Sequence, residues 1–417
     1  MSFLKRLMAV FRLEAEREAY RQVSPGEACE AKIKRALEYV EKGESSLDRG
    51  HFADAAASLT QATILNPNDD STFVLLGIAQ AQRGHQNEAI ICFERALSLN
   101  NVSFAAHYNL GTTKLSLGKL DEAELHCRNA LACENDRAIV WDLLGMILRD
   151  QWRIKESIEA YRKSIQLDPR STAVRSNLLW TLQYDDSLSQ AELYLEHRSY
   201  GEYVEKLYGH LQPNKVVEGS IERVHRKLRI GYVSADLNAH SAALFLLAII
   251  EHHDRSRFEI TCYHAGVKRD AMTSKIASTC DHFVDCLAMS VESMAQAINS
   301  DGIDILIDLG GHTAHNQLPV FACKPAPIQV TYIGYVDTTG LSAIDYKLTC
   351  INAYPPECAN FAAEKLFGLN RSFTYRPAEG LPDVTTLPAL ENGYITFLSN
   401  NQISKITDST IRSWSSI

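Results

Sequence analysis

The chain has 417 residues, too many for one ordinary domain and enough for two or three, each able to bury a core. With 46% hydrophobic and 22% charged residues it falls among soluble globular proteins. Its formal net charge of -9 disfavours a nucleic-acid partner, because that attraction depends on neutralising phosphates with Lys and Arg, and no run approaches the roughly 18 apolar residues of a membrane span.

The ten cysteines include no Cys-x-x-Cys pair and no regular framework, and several sit in apolar runs such as Ile91-Cys92-Phe93, where a thiol behaves as a small hydrophobe. This predicts a reducing, cytoplasmic setting. Residues 1–35 read as an N-terminal helical segment. Glu14, Glu16 and Glu18 directly follow the apolar start, so an amphipathic helix is expected there rather than a secretory signal.

After the Ser24-Pro25-Gly26 break the chain becomes periodic. Gly43, Gly77, Gly111 and Gly145 are each 34 residues apart, and Gly50, Gly84 and Gly118 keep the same step. Small residues recur in phase at Ala55, Ala89, Ala123 and Ser157, and again at Ala62, Ala96, Ala130 and Ser164. This is the tetratricopeptide period, and it predicts an α-solenoid of four repeats over 36–171. Glycine on the first helix and alanine on the second allow close packing, with Phe93, Trp141 and Tyr161 expected to fill the larger gaps. Such an array binds a protein or peptide. Asn109 and Asn177 stand at the sixth position of their repeats, where an asparagine can simply solvate a helix face.

Residues 172–226 read as a helical connector. From Leu228 the pattern changes to strands alternating with helices, as in βαβ units. Strands are expected at 228–233, 258–263, 303–309, 328–333 and 346–349, and helices at 242–250, 271–278 and 291–299. Nearly continuous apolar strands suit a parallel sheet covered on both faces, so 227–390 is expected to form a Rossmann-like lobe. Ligands of such sheets sit beyond the carboxyl ends of the strands. Three loops there carry candidate chemistry: 234–240 with Asp236 and His240, Gly310-Gly311-His312-Thr313, and Gly334 to Gly340, whose threonine hydroxyls could bond sugar or phosphate oxygens. No Gly-x-Gly-x-x-Gly or Walker motif is present, and each glycine loop alone also fits a simple turn.

Taken with the repeats, Arg229-Ile230-Gly231-Tyr232-Val233-Ser234-Ala235-Asp236, Gly311-His312-Thr313, Lys324-Pro325-Ala326-Pro327-Ile328-Gln329 and Gly334-Tyr335 resemble the O-linked N-acetylglucosamine (O-GlcNAc) transferase family (glycosyltransferase family 41), particularly its bacterial members. The resemblance implies a GT-B fold with 227–390 as its N-terminal lobe and 391–417 as the start of a second lobe cut short at Ile417. It implies transfer of N-acetylglucosamine from UDP-GlcNAc to Ser or Thr hydroxyls of proteins, with no metal or other cofactor. The family's catalytic Asp and His fall on Asp236 and His240, and the lysine that steadies the UDP leaving group falls on Lys405. Its substrate-binding residues fall on His312, Thr313, Gly334 and Gln402. In the family, asparagines at the sixth repeat position hold an extended peptide backbone on the concave face, which makes Asn109 and Asn177 candidates for that role, although a solvated helix face fits them equally well. Departures are Val336 for a usual proline, Ala239 before the histidine, and Ser404 for a tyrosine. With most of the second lobe missing, this chain is expected to hold UDP-sugar poorly. The alternatives are a protein O-fucosyltransferase using GDP-fucose and an inactive tetratricopeptide scaffold.

Overall fold

The computed structural model describes residues 27–212, 226–350, 352, 354–370, 380, 382–401 and 406–416. It divides into two compact units, Met1–Val174 and Arg175–Ile417.

The first unit is a row of helix pairs: α1 (Glu27–Asp48) with α2 (Phe52–Leu65), α3 (Asp70–Gln82) with α4 (Gln86–Leu99), α5 (Phe104–Ser116) with α6 (Leu120–Cys133), and α7 (Ala138–Asp150) with α8 (Ile154–Leu167). One hydrophobic core runs through all four pairs, since no single pair can bury its apolar faces alone. The in-phase glycines are explained by contact. A Cβ on Gly77 would lie 2.4 Å from the Phe93 ring, and one on Gly145 would lie 2.6 Å from the Tyr161 ring. Where serine replaces alanine, the hydroxyl is absorbed by the facing helix: Ser157 donates to the Gly145 carbonyl at 2.7 Å and Ser164 to the Ala138 carbonyl at 2.8 Å. Phe93 and Tyr161 are fully buried, as expected, but Trp141 is not a gap filler. Its ring is only partly buried, and its indole N–H donates to the Asn135 carbonyl at 2.9 Å.

The second glycine series closes the turns. Gly50, Gly84 and Gly118 have φ of +77, +82 and +70°, a region open to glycine at little cost. The residue after each reaches back across the helix end, as in His85 N–H to the Gln80 carbonyl at 3.0 Å, which is a Schellman closure. The fourth turn makes the same bond, from Arg153 N–H to the Leu148 carbonyl at 2.9 Å, yet Trp152 occupies the left-handed position with φ +65°.

The second unit is built on a seven-stranded, wholly parallel sheet: β1 (Leu228–Ser234), β2 (Phe258–His264), β3 (His282–Asp285), β4 (Ile305–Asp308), β5 (Ile328–Thr331), β6 (Tyr346–Cys350) and β7 (Lys365–Leu369), in spatial order β3-β2-β1-β4-β5-β6-β7. Helices α11 (Ser241–His252), α12 (Ala271–Thr279), α13 (Val291–Ser300) and α14 (Leu318–Ala322) connect the strands. Five strands and three of these helices fall where the sequence pattern puts them. The sequence pattern does not place β3 and β7, the two edge strands: each is only four or five residues long and contains no fully buried residue.

The segment read as a connector contains α9 (Thr172–Leu182) and α10 (Gln190–Tyr208). Helix α10 starts with a Ser189–Glu192 capping box and packs against α14, within the second unit. Short helices α15 (Pro388–Asn392) and α16 (Asp408–Trp414) bury no residue. Nine cysteines, Cys92 to Cys358, are free thiols, and burial pushes Cys92 and Cys323 up to about 11 and Cys127 and Cys286 to about 12.

Candidate active site

The strand order reverses direction between β1 and β4, because β2 and β3 lie on one side of β1 and β4 to β7 on the other. Such a switch point opens a crevice at the carboxyl ends of the strands. The three loops singled out from the sequence leave β1, β4 and β5, all at that end.

The loop after β1 is pinned from both sides. Asp236 N–H donates to Ser234 Oγ at 2.9 Å, and Ala239 N–H donates to Asp270 Oδ2 at 2.7 Å. His240 is the N-cap of α11, and its Nδ1 accepts from Ala242 N–H at 3.3 Å. That bond requires a lone pair on Nδ1 and so leaves the proton on Nε2. Asp236 Oδ2 stands 3.9 Å from the same Nδ1, beyond hydrogen-bond range. The His240 side chain is 49% exposed and that of Asp236 27%, so both face the open end of the sheet. A small rotation of the ring would exchange the cap bond for one to Asp236, with Nδ1 protonated and the Nε2 lone pair turned outward.

The loop after β4 is organised by a buried carboxylate that the sequence reading passed over. Asp308 accepts from the N–H groups of Gly310 (3.0 Å) and Gly311 (2.9 Å) and from Thr331 Oγ1 (2.8 Å). Burial pushes its carboxyl above the ordinary range, and those three donors pull it back. An acid at a strand end directly before Leu-Gly-Gly was the available signal. Gly334 fits against this loop: a Cβ there would fall 2.0 Å from the Leu309 carbonyl oxygen. The missing side chain therefore brings two loop backbones together. Ile333, just before it, holds φ +69°, which is rare for a β-branched residue and costs about 1–3 kcal/mol.

His312 is not placed to touch a substrate. Its ring is 1% exposed, its Nε2 donates to the Thr339 carbonyl at 3.0 Å, and its Nδ1 meets the Ser176 hydroxyl at 3.1 Å. Both nitrogens are occupied, and burial followed by the neighbouring His197 lowers the ring well below its ordinary range. The threonines of the third loop also turn inward. Thr338 Oγ1 donates to Glu364 Oε2 at 2.6 Å, and Thr339 gives both its N–H and its hydroxyl to Glu364 Oε1. Beside them Lys347 is buried, donating to the carbonyls of Tyr335 (3.0 Å) and Asp337 (2.7 Å). Burial lowers its pKa, against the pull of Glu364, Asp337 and Asp308. Thr313, by contrast, is partly exposed, and its hydroxyl makes no hydrogen bond among the described residues.

The structure thus brings Asp236, His240, Thr313 and Gly334 to one end of the sheet and withdraws His312 into the core. Asn109 lies in the first unit, buried, with its amide donating to the Ala105 carbonyl of its own helix at 2.8 Å. Asn177 is partly buried in α9, where its backbone carbonyl accepts from Thr181 Oγ1 at 2.8 Å. Gln402 and Lys405 lie outside the described residues.

Comparison with known proteins matches residues 203–376 to the model of glycosyl transferase family 41, and residues 40–100, 74–138 and 138–171 to tetratricopeptide-repeat models. Residues 203–376 are thus similar to glycosyl transferase family 41, and residues 40–171 are similar to tetratricopeptide repeats. A relative from Oryza sativa subsp. japonica, named "Probable UDP-N-acetylglucosamine–peptide N-acetylglucosaminyltransferase SPINDLY", is 38% identical over 265 residues, covering 62% of this chain and 28% of its own length. A Caenorhabditis elegans UDP-N-acetylglucosamine–peptide N-acetylglucosaminyltransferase is 38% identical over 154 residues, covering 36% of this chain and 13% of its own. Among solved structures, a Thermobaculum terrenum O-GlcNAc transferase variant superposes with a TM-score of 0.69 at 26% identity, covering 76% of this chain and 61% of the other. The chain therefore spans about a quarter of the length of the plant relative it matches. No described helix is long and apolar enough to cross a membrane.

Proposed function

We propose that the second unit is the acceptor-side lobe of a nucleotide-sugar-dependent protein glycosyltransferase, which transfers N-acetylglucosamine from UDP to Ser or Thr hydroxyls. The observation that carries this reading is the half-exposed His240–Asp236 pair at the switch point of a parallel sheet, inside the region that matches glycosyl transferase family 41. With Nδ1 protonated toward Asp236, the Nε2 of His240 takes the proton of the acceptor hydroxyl. The hydroxyl oxygen bonds to the anomeric carbon as the bond from that carbon to the phosphate oxygen breaks, and the electron pair leaves with UDP. Lys405 would meet the charge that develops on the departing diphosphate.

Thr313, with its free hydroxyl, is the residue of the β4 loop that reaches donor or acceptor, and Gly334 serves by holding the β4 and β5 loops together. The repeats dock acceptor proteins, with Asn109 and Asn177 the candidates for holding them. The reaction uses charged and hydrogen-bonding side chains and no metal cofactor. The nine free thiols, Cys92 to Cys358, suit a reducing, cytoplasmic compartment. The names of the relatives do not favour the GDP-fucose alternative.

The test is transfer from labelled UDP-GlcNAc and from GDP-fucose to a protein acceptor, using the longest reading frame that contains this chain. His240→Ala should lower transfer by about 10²–10⁴-fold with the fold retained. An undiminished rate would remove His240 from the chemistry, and labelling from GDP-fucose alone would overturn the donor.

A further inference from the structure

The supports of the His240 loop come from the neighbouring βα unit. Strands β1 and β2 end side by side, with Ser234 opposite His264, and the loops that leave them stay in contact. Ala265 N–H donates to the Ser234 carbonyl at 3.0 Å, and a Cβ on Gly266 would lie 1.9 Å from the Ala235 carbonyl oxygen. Farther out, the β1 loop ends in a γ-turn, in which His240 N–H donates to the Asn238 carbonyl at 2.6 Å. That turn leaves the N–H of its middle residue, Ala239, to be bonded from outside.

Asp270, the N-cap of α12, supplies the bond, and its two carboxylate oxygens have separate tasks. Oδ1 caps the helix, accepting from the N–H groups of Met272 (2.9 Å) and Thr273 (3.1 Å), while Oδ2 accepts from Ala239 N–H at 2.7 Å. The N–H of Ala239 first, then those of Thr273 and Met272, hold its carboxyl below the ordinary range, so it stays ionised at neutral pH. Thr273 makes a second tie. Its buried hydroxyl donates to the Leu237 carbonyl at 2.7 Å and accepts from Asp270 N–H at 3.2 Å. Serine caps a helix as well as aspartate does, but its single oxygen cannot serve both α12 and Ala239. Capping alone therefore leaves the second oxygen of Asp270 unexplained.

We propose that Asp270 and Thr273 are positioning residues for His240, fixing its ring against the acceptor hydroxyl through the backbone of Ala239 and Leu237. The proposal rests on the reading of His240 as the base. Neither residue touches the reacting groups. Both act by holding the loop still, and a misplacement of about 1 Å at the reacting centre can cost about 10²-fold in rate.

The experiment places Asp270→Ser, which keeps a helix cap and removes the oxygen that holds Ala239, in the parent and in a His240→Ala background, using the longest reading frame that contains this chain. In the parent, hydrogen exchange over 234–240 should quicken, and kcat should fall by about 10–100-fold with the KM for the nucleotide sugar and the melting temperature little changed. In the His240→Ala background the residual rate should fall no further, because the ring being positioned is gone. Thr273→Val, which removes only the hydroxyl tie, should act in the same direction and reports if Asp270→Ser does not fold. Equal losses in the two backgrounds, or unchanged exchange over 234–240, would overturn the proposal and leave His240 as the base. An undiminished rate in His240→Ala alone would instead overturn that reading, and the proposal with it.

Discussion

His312 shows how a residue matched by motif can be taken up in packing between loops. Its position after Gly-Gly at the end of a strand marks it for ligand contact, and the sequence cannot show that Ser176, 136 residues earlier, supplies the partner for its second nitrogen. Asp236 and His240 were legible because their loop is local, whereas the roles of Glu364 and Lys347 depend on distant strands. Burial holds both His312 and His197 below the ordinary histidine range. In the unfolded chain they titrate near 6.5, so below that pH the unfolded state binds protons that the folded state refuses, and stability falls as the solution is acidified. Asp308, with its carboxyl raised by burial, acts in the opposite sense at lower pH. Urea midpoints for the second unit should therefore drop between pH 7.5 and 5.5, and the drop should be shallower in His312→Asn; parallel curves would show that the ring is not kept neutral.

At the scale of the element, the repeats were readable because in three of the four pairs the glycine is forced by a close side-chain contact, at Gly43, Gly77 and Gly145, whereas at Gly111 a Cβ would meet nothing closer than 3.3 Å. Gly77→Ala places a methyl group against Phe93 and should destabilise the first unit by about 1–3 kcal/mol. Adding Phe93→Leu makes room, so the double variant should lose less than the sum of the two single changes in thermal unfolding. Additive losses would mean that the helices do not meet where Gly77 sits. The fourth turn escaped the glycine count because Trp152 takes that place, with a φ that costs about 1–2 kcal/mol in a residue bearing a Cβ. Edge strands β3 and β7 escaped because they are short and pair on one side only, so neither buries a residue fully.

On the scale of the whole molecule, the sequence marks the change from repeats to sheet but does not show which unit α9 and α10 join. Gln183, just past α9, and side chains of α10 hold the third loop and the residues that follow it at several points. Gln183 reaches Tyr335 and Asp337, His197 meets the Tyr335 hydroxyl at 2.8 Å, Arg198 donates to the Gly340 carbonyl at 2.8 Å, and Glu205 accepts from Ser342 and from Ala343 N–H. At Gly201 a Cβ would lie 1.9 Å from the Gly340 carbonyl oxygen. Gly201→Ala should therefore release α10 from the loop and lower the melting temperature of the second unit, while leaving the first unit's transition in place; a single shared shift of both transitions would contradict this assignment. The same crossing of two glycines sets where the gene can be cut. A fragment begun at Leu228 would leave Tyr335 and Gly340 without their cover, whereas one begun at Thr172 takes its cover along. The repeats can then be gained or lost in steps of 34 residues, as links are added to a chain, while the loops around His240 keep the same supports.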